Sequence, residues 1–247
     1  MIEPTPVEQE VARTRRDVLG KAAVGLAAAG GAASLAGRAE AAPSPRALKG
    51  VVDFIATQEA FGVTFLTEGI RRSPGTPSAQ FAAILKAANT TEFDHVRALE
   101  QRLGAKRLVK QYWIPEAAFD NGGPGLFQSI DKVETIELSM YLIGVTAYAQ
   151  RRSAFGARLM AEAMATESEH RVLARAALGM LGVKIEVPNN ISFAPFNIRT
   201  VAGVKAAAER LGIGYDKEGA QPGKFYPYPG NPLANGSGSP QIVRTPA

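Results

Sequence analysis

The feature that most constrains this chain is a short motif that occurs twice and contains both of its histidines. Glu92 precedes His95 by three residues, and Glu167 precedes His170 by the same interval. Residues three apart in a helix project from one face about one turn apart, so a carboxylate oxygen and an imidazole nitrogen can reach the same cation. Both are common ligands of divalent metals in proteins. Each motif therefore predicts half of a metal site.

A second pair of glutamates stands at a fixed distance before the two motifs. Glu59 lies 33 residues before Glu92, and Glu134 lies 33 residues before Glu167. A shift of 75 superimposes the two sets, and it also pairs Thr91 with Thr166, Asp94 with Glu169, Leu103 with Leu178 and Gly104 with Gly179. Glutamate fills only 17 of the 247 positions, so chance is a poor explanation of this repeat. The pattern predicts a duplicated helical hairpin whose four glutamates and two histidines converge. The alternative is that they are solvated charges on helix surfaces.

Hydrophobic periodicity and helix-end signals predict an all-α fold built on four helices. The expected ranges are about 46–72, 76–103, 129–151 and 153–180. Residues 105–128 are too long for a hairpin turn and too broken for a helix, which predicts a long crossover between the second and third helices. We expect Trp113 to plug one end of the core. Glu68 falls on the side of the first helix opposite Glu59, and we expect it to be a solvated charge.

Two residues of the third helix are candidates for catalytic roles. Glu137 and Tyr141 share a face with Glu134, at helical steps of three and four. Glu137 has no acidic counterpart in the first repeat, so it could be a seventh ligand, a proton-handling group or a residue that acts behind the ligands. Tyr141 could hydrogen-bond a ligand carboxylate or donate a proton, and the alternative is a core tyrosine with a satisfied hydroxyl.

The acidic residues directly before the two histidines leave a similar choice open. Asp94 and Glu169 could each orient the opposite imidazole through its second nitrogen. The alternative is that both form exposed salt bridges.

The two ends of the chain differ in composition from the middle. Arg15 and Arg16, the mildly apolar Ala/Gly-rich run 22–37 and Ala39-Glu40-Ala41 resemble a twin-arginine export signal, which predicts cleavage after residue 41 and a periplasmic or extracellular protein. The alternative is an uncleaved anchor, for which the run is short. After cleavage we expect no stable membrane span. Residues 181–247 predict an irregular, aromatic tail with a short helix near 201–211, strapped over the helices or a neighbouring subunit.

Composition removes several classes of function. The chain has no cysteine, which excludes disulfides, thiol catalysis, iron–sulfur clusters and cysteine zinc sites. The formal net charge is +5, but no basic run with interleaved aromatic residues indicates nucleic-acid binding.

The order Glu, Glu-x-x-His, Glu, Glu-x-x-His on four helices with a long crossover resembles the ferritin-like di-iron carboxylate superfamily over about residues 46–180. The step from Glu134 to Glu137 looks most like the rubrerythrin branch. The export signal and tail look more like the exported ferritin-like proteins grouped with plant desiccation-related proteins. The resemblance implies the following ligands: Glu59 and Glu134 terminal or bridging, Glu92 and Glu167 bridging, and His95 and His170 one on each metal.

The expected cofactor is a pair of iron or manganese ions, whose combined charge would neutralise four carboxylates. The expected function is an oxidoreductase that acts on peroxide or dioxygen in protection of the cell envelope. Because the chain lacks the cysteine-ligated rubredoxin module, electrons would come from an external donor. The alternatives are an iron-oxidising storage protein and a structural stress protein whose metal stabilises the fold. We also expect a homo-oligomer, a dimer formed through helix faces or the tail.

Overall fold

The computed structural model describes residues 42–120, 123–185 and 191–240. The expected export signal lies outside these ranges. Most of the described chain is helical. The helices are α1 (Pro45–Arg72), α2 (Ala82–Leu103), α3 (Pro124–Gln150), α4 (Ala154–Met180) and α5 (Val201–Arg210). Two short 3-10 helices cover Pro77–Phe81 and Glu116–Ala118. None of the described helices is long and apolar enough to cross a membrane.

The helix ends follow from local chemistry. Ser44 caps α1 by accepting a hydrogen bond from the backbone N–H of Ala47, and Ser153 caps α4 by accepting one from Gly156. The second predicted helix starts in a different geometry, since Thr76 caps a 3-10 turn before α2 begins at Ala82. Gly104 ends α2 in the left-handed conformation, with φ 66°.

Helix α3 begins at Pro124, five residues before the predicted start at Ser129. Proline is well tolerated at a first helical position, because the N–H that it lacks would have no partner inside the helix. The predicted crossover is correspondingly shorter.

The long helices pack in two pairs, α1 with α2 and α3 with α4, and further contacts join α1 to α3 and α2 to α4. Two clusters of buried apolar side chains fill the interior. On α1, the first cluster supplies Ala60 and Phe61 and the second supplies Ile55 and Ala56. Glu59 lies between them, and Glu134 occupies the same kind of position on α3 between Val133 and Ile136. The helices thus hold acidic residues between two apolar layers.

A three-stranded sheet is the main departure from the predicted all-α fold. Strand β1 (Gln111–Pro115) lies between β2 (Gly214–Tyr215) and β3 (Gly223–Pro227) and is antiparallel to both. The prediction that the Pro-rich tail is irregular was wrong at β2 and β3, and the predicted crossover contains β1, which the sequence analysis did not predict. Pro227 is tolerated because β3 is an edge strand, where a missing N–H need not break a ladder.

The side chains of β1 also correct the prediction for Trp113. Successive residues of a strand face opposite sides, and Tyr112 and Ile114 are the ones that face the core and are fully buried. The Tyr112 hydroxyl donates a 2.7 Å hydrogen bond to the backbone oxygen of Thr57. Trp113 is half-buried on the other face, where its ring packs at 5.2 Å on Phe225. Tyr112 therefore occupies the place expected for Trp113.

Glu68 is not the solvated charge that the sequence predicted. Its residue surface is 8% exposed, and its carboxylate accepts hydrogen bonds from Arg71 at 2.6 and 2.7 Å and from Arg72 at 2.5 Å. Arg72 also contacts Glu116 at 2.9 Å. These arginines lie three and four residues after Glu68, on the same side of α1, so the helix supplies the partners itself.

Candidate metal centre

The structure brings the two Glu-x-x-His motifs and the two upstream glutamates together. Two overlapping groups of side chains have ligand atoms within 4.8 Å of one another, which suits a metal ion. The first group is Glu59, Glu92, His95 and Glu167, and the second is Glu92, Glu134, Glu167 and His170. Glu92 and Glu167 belong to both groups. The alternative of solvated helix charges fails for these residues, because all four glutamates are buried.

Glu167 lies between the two imidazoles. Its Oε1 is 2.7 Å from His95 Nδ1, and its Oε2 is 3.0 Å from His170 Nδ1. Each of the two oxygens of this carboxylate therefore faces a different histidine, which suits a carboxylate that bridges two cations through its two oxygens.

The remaining carboxylates complete the two groups from other helices. Glu59 Oε2, from α1, is 3.1 Å from His95 Nδ1. Glu92 Oε1, from α2, and Glu134 Oε1, from α3, are 3.1 and 3.5 Å from His170 Nδ1. Both imidazoles thus direct the same nitrogen, Nδ1, toward the carboxylates.

Several carboxylate oxygens are buried without a hydrogen-bond donor. Among the described residues these include one oxygen each of five glutamates in or beside the cluster, namely Glu59, Glu92, Glu134, Glu137 and Glu167. Burying a charged oxygen without a partner is costly, and a cation or a proton must offset that cost. An oxygen-rich set with two imidazoles and no sulfur fits a hard or borderline divalent cation such as manganese or iron. The residues present therefore fit a metal.

The pKa shifts describe how the metal-free cluster holds protons instead. Burial, followed by repulsion from Glu167, raises the pKa of Glu134 to about 8 and raises those of Glu59 and Glu92. Burial would lower the pKa of each histidine, but the surrounding carboxylates outweigh it and raise both pKa values well above the ordinary range. The pKa of Glu167 is lowered, because its two imidazole partners outweigh the effect of burial. A bound cation would displace these protons.

The second nitrogen of His95 has a partner that sequence reasoning missed. Thr166 Oγ1 is 3.0 Å from His95 Nε2, and it donates its own proton to the backbone oxygen of Ala163 at 2.7 Å. The hydroxyl is therefore left to accept from Nε2–H, which leaves the lone pair of Nδ1 free for a metal. The repeat could have drawn attention to Thr166, since the shift of 75 pairs it with Thr91.

The acidic residues before the two histidines differ in their surroundings, and the exposure of Glu169 argues against an orienting role for that residue. Glu169 is exposed, and Asp94 lies 3.6 Å from Arg97 in a salt bridge on α2. A residue one position from an inward-facing histidine is turned about 100° around the helix, which directs it away from the cluster.

Glu137 and Tyr141 are buried beside the cluster, but neither belongs to the two ligand groups. Burial and the neighbouring charges of Glu134 and Glu92 raise the pKa of Glu137 well above its ordinary value. The Tyr141 ring stands at 75° to the His95 ring, with centroids 6.0 Å apart. Its hydroxyl is near Glu59 but closes no hydrogen bond of normal geometry within the described residues.

The two repeats differ at the position of Glu137, where the first repeat has Gly62. A Cβ added at Gly62 would lie 2.6 Å from Glu92 Oε2. The shift of 75 pairs Gly62 with Glu137, so the first repeat leaves space for the Glu92 carboxylate where the second repeat carries an extra acid. The centre is therefore asymmetric.

No protein-family model matches the chain, and no curated protein and no solved structure matches it.

Proposed function

We propose that residues 46–180 form a ferritin-like four-helix bundle around a two-metal carboxylate centre. The observation that carries this proposal is the Glu167 carboxylate, whose two oxygens face the two imidazoles at 2.7 and 3.0 Å. The metals would be iron or manganese, since four carboxylates and two neutral imidazoles carry about four negative charges and offer hard oxygen donors. His95 and Glu59 would hold one ion, and His170 and Glu134 the other, with Glu92 and Glu167 shared.

The proposed activity is that of an oxidoreductase acting on peroxide or dioxygen in stress protection outside the cytoplasm. When bound, two redox-active cations would supply electron transfer to or from an oxygen species. The electron donor for any reductive reaction would be a separate protein or small reductant, because the chain has no cysteine to hold an iron–sulfur or rubredoxin-type centre. The proposed export signal places the reaction in the periplasm or outside the cell.

The chain's own residues would provide positioning and protons. Thr166 holds the His95 ring with Nδ1 toward the centre. Glu137 is the proposed proton donor beside the ligands, since burial and the nearby carboxylates of Glu134 and Glu92 raise its pKa. Tyr141 offers a buried hydroxyl near Glu59 that closes no hydrogen bond of normal geometry within the described residues. Glu137 and Tyr141 are therefore the proposed catalytic pair, acting next to the ligands.

The experiment is turnover of peroxide and of dioxygen by the chain loaded with iron or with manganese. The proposal expects turnover above that of the free ion, with loss in the variant Glu137→Gln and no loss in Glu169→Gln. If metal raises the melting temperature while turnover stays at background, the metal only stabilises the fold. If turnover is limited to iron oxidation and the chain forms a large closed shell in solution, the protein stores iron. Either result would reject the proposed activity.

A further inference from the structure

An apolar pocket leads from the surface to one side of the centre. Its walls come from all four long helices, and Glu134 and His170 are the two polar residues among its twelve lining residues. Ile84 on α2 and Leu173 on α4 line it and are each 40% exposed, so they mark its mouth. The inner end of the pocket is therefore formed by two candidate metal ligands.

Two positions on the His95 side carry larger side chains than the matching positions in the pocket. The shift of 75 pairs Leu66, which lines the pocket, with Tyr141. It also pairs Leu99 with Ala174, another lining residue. Tyr141 and Leu99 are fully buried, and each is larger than its counterpart. The His95 side chain keeps 12% of its surface exposed, but its carboxylate partners there have none.

The size and lining of the pocket limit what can pass through it. Its cavity volume is about 20 Å³. That volume is enough for roughly one or two small molecules. Apolar walls offer no hydrogen bonds to replace those that water, peroxide or an ion must give up on entry. A small molecule with weak hydration pays no such penalty.

We propose that small, weakly polar molecules of the class of dioxygen reach the centre through this pocket, at Glu134 and His170. The proposal deepens the function proposed above, and the reaction at the end of the route depends on that function. The route itself does not require a metal. It predicts dioxygen rather than hydrogen peroxide as the molecule that this pocket delivers.

The first test uses xenon on crystals of the metal-free protein, because xenon binds in dry apolar cavities. We expect a xenon peak in the pocket of the unaltered chain. The variant Ala88→Phe should abolish it by filling the wall from α2, whereas Ala83→Phe, on an exposed position of the same helix outside the pocket, should not. Leu173→Trp narrows the mouth at a half-exposed position and serves if Ala88→Phe fails to fold. A pocket without xenon in the unaltered chain would overturn the route.

The second test measures oxidation of the iron(II)-loaded chain by stopped-flow absorbance. Ala88→Phe or Leu173→Trp should slow oxidation by dioxygen at least ten-fold, with unchanged iron content and less than two-fold change in the rate with peroxide. Equal slowing of both oxidants, or of neither, would contradict the proposal. A chain that binds no iron would reject the proposed function, while the xenon result would still decide whether the pocket admits apolar molecules.

Discussion

The two overlapping ligand groups predict different metal contents for different single substitutions. His95 belongs only to the first group and His170 only to the second, whereas Glu167 belongs to both. We expect His95→Ala and His170→Ala each to retain one metal ion per chain. Glu167→Ala should retain none, because it removes the carboxylate that both groups need.

The thermal stabilisation by metal should follow the same pattern. One site with free metal at 100 times its Kd stabilises the folded state by about 2.7 kcal/mol, so two independent sites contribute about 5 kcal/mol. For a chain of this size, each kcal/mol raises Tm by about 2–4 °C. The unaltered chain should therefore gain about 10–20 °C on loading. Each histidine variant should gain about half of that, and Glu167→Ala should gain almost nothing.

The assay is elemental analysis of manganese-loaded protein together with melting curves recorded with and without metal. Comparing loaded and metal-free forms of the same variant cancels the effect of the substitution on the metal-free fold. Glu169→Ala is the matched control, because Glu169 is exposed and lies one residue from His170 on α4. Two ions retained in His170→Ala, or an ion lost in Glu169→Ala, would refute the assignment of these ligands.

Three further predictions follow from the geometry. Thr166→Val should weaken metal binding by about 10–100-fold, since it removes the acceptor that orients His95, while Thr166→Ser should bind nearly normally; titration calorimetry with manganese tests both. Gly62→Ala should displace the Glu92 carboxylate and reduce affinity for at least one ion in the same titration, and an unchanged affinity would show that the close approach is not needed. The raised pKa of Glu134, about 8 against an ordinary 4.5, means that the metal-free folded chain keeps a proton that the unfolded chain releases. Its stability should therefore fall as pH rises from about 4.5 to about 8, and denaturant unfolding of Glu134→Gln should show a weaker fall.

The ligand cluster could be predicted from the sequence because its residues follow helical spacing and occur in a repeat. Glu92 and His95 share a helix face by geometry alone, and the shift of 75 identifies Glu59 and Glu134 without any knowledge of tertiary structure. The end of the second helix was also readable, because Gly104 takes the positive φ that ends a helix at little cost.

The sheet could not be predicted, because its strands are joined only by tertiary pairing. Tyr112 pairs with Tyr215 on one side and Tyr226 on the other, more than 100 residues away in the chain. The Pro-rich composition of the tail correctly indicates breaks but does not reveal two short strands between them. Glu68 was misassigned although Arg71 and Arg72 follow it at helical spacing, because the burial of that side of the helix depends on tertiary packing.

The contact between Thr166 and His95 could not be predicted from the sequence, because it depends on how α4 packs against α2. The sequence shows a threonine before each motif, but a hydroxyl on one helix can reach an imidazole on another only at a particular separation and rotation. Residues that act on ligands across helices therefore stay hidden until the structure places them.

The most direct measurement of the central claim is anomalous diffraction from crystals of the manganese- or iron-loaded chain. We predict two peaks per chain, about 3.5–4 Å apart, one within bonding distance of His95 Nδ1 and the other within bonding distance of His170 Nδ1. A fully loaded crystal with no peak between these histidines, or with metal only at surface carboxylates, would contradict it.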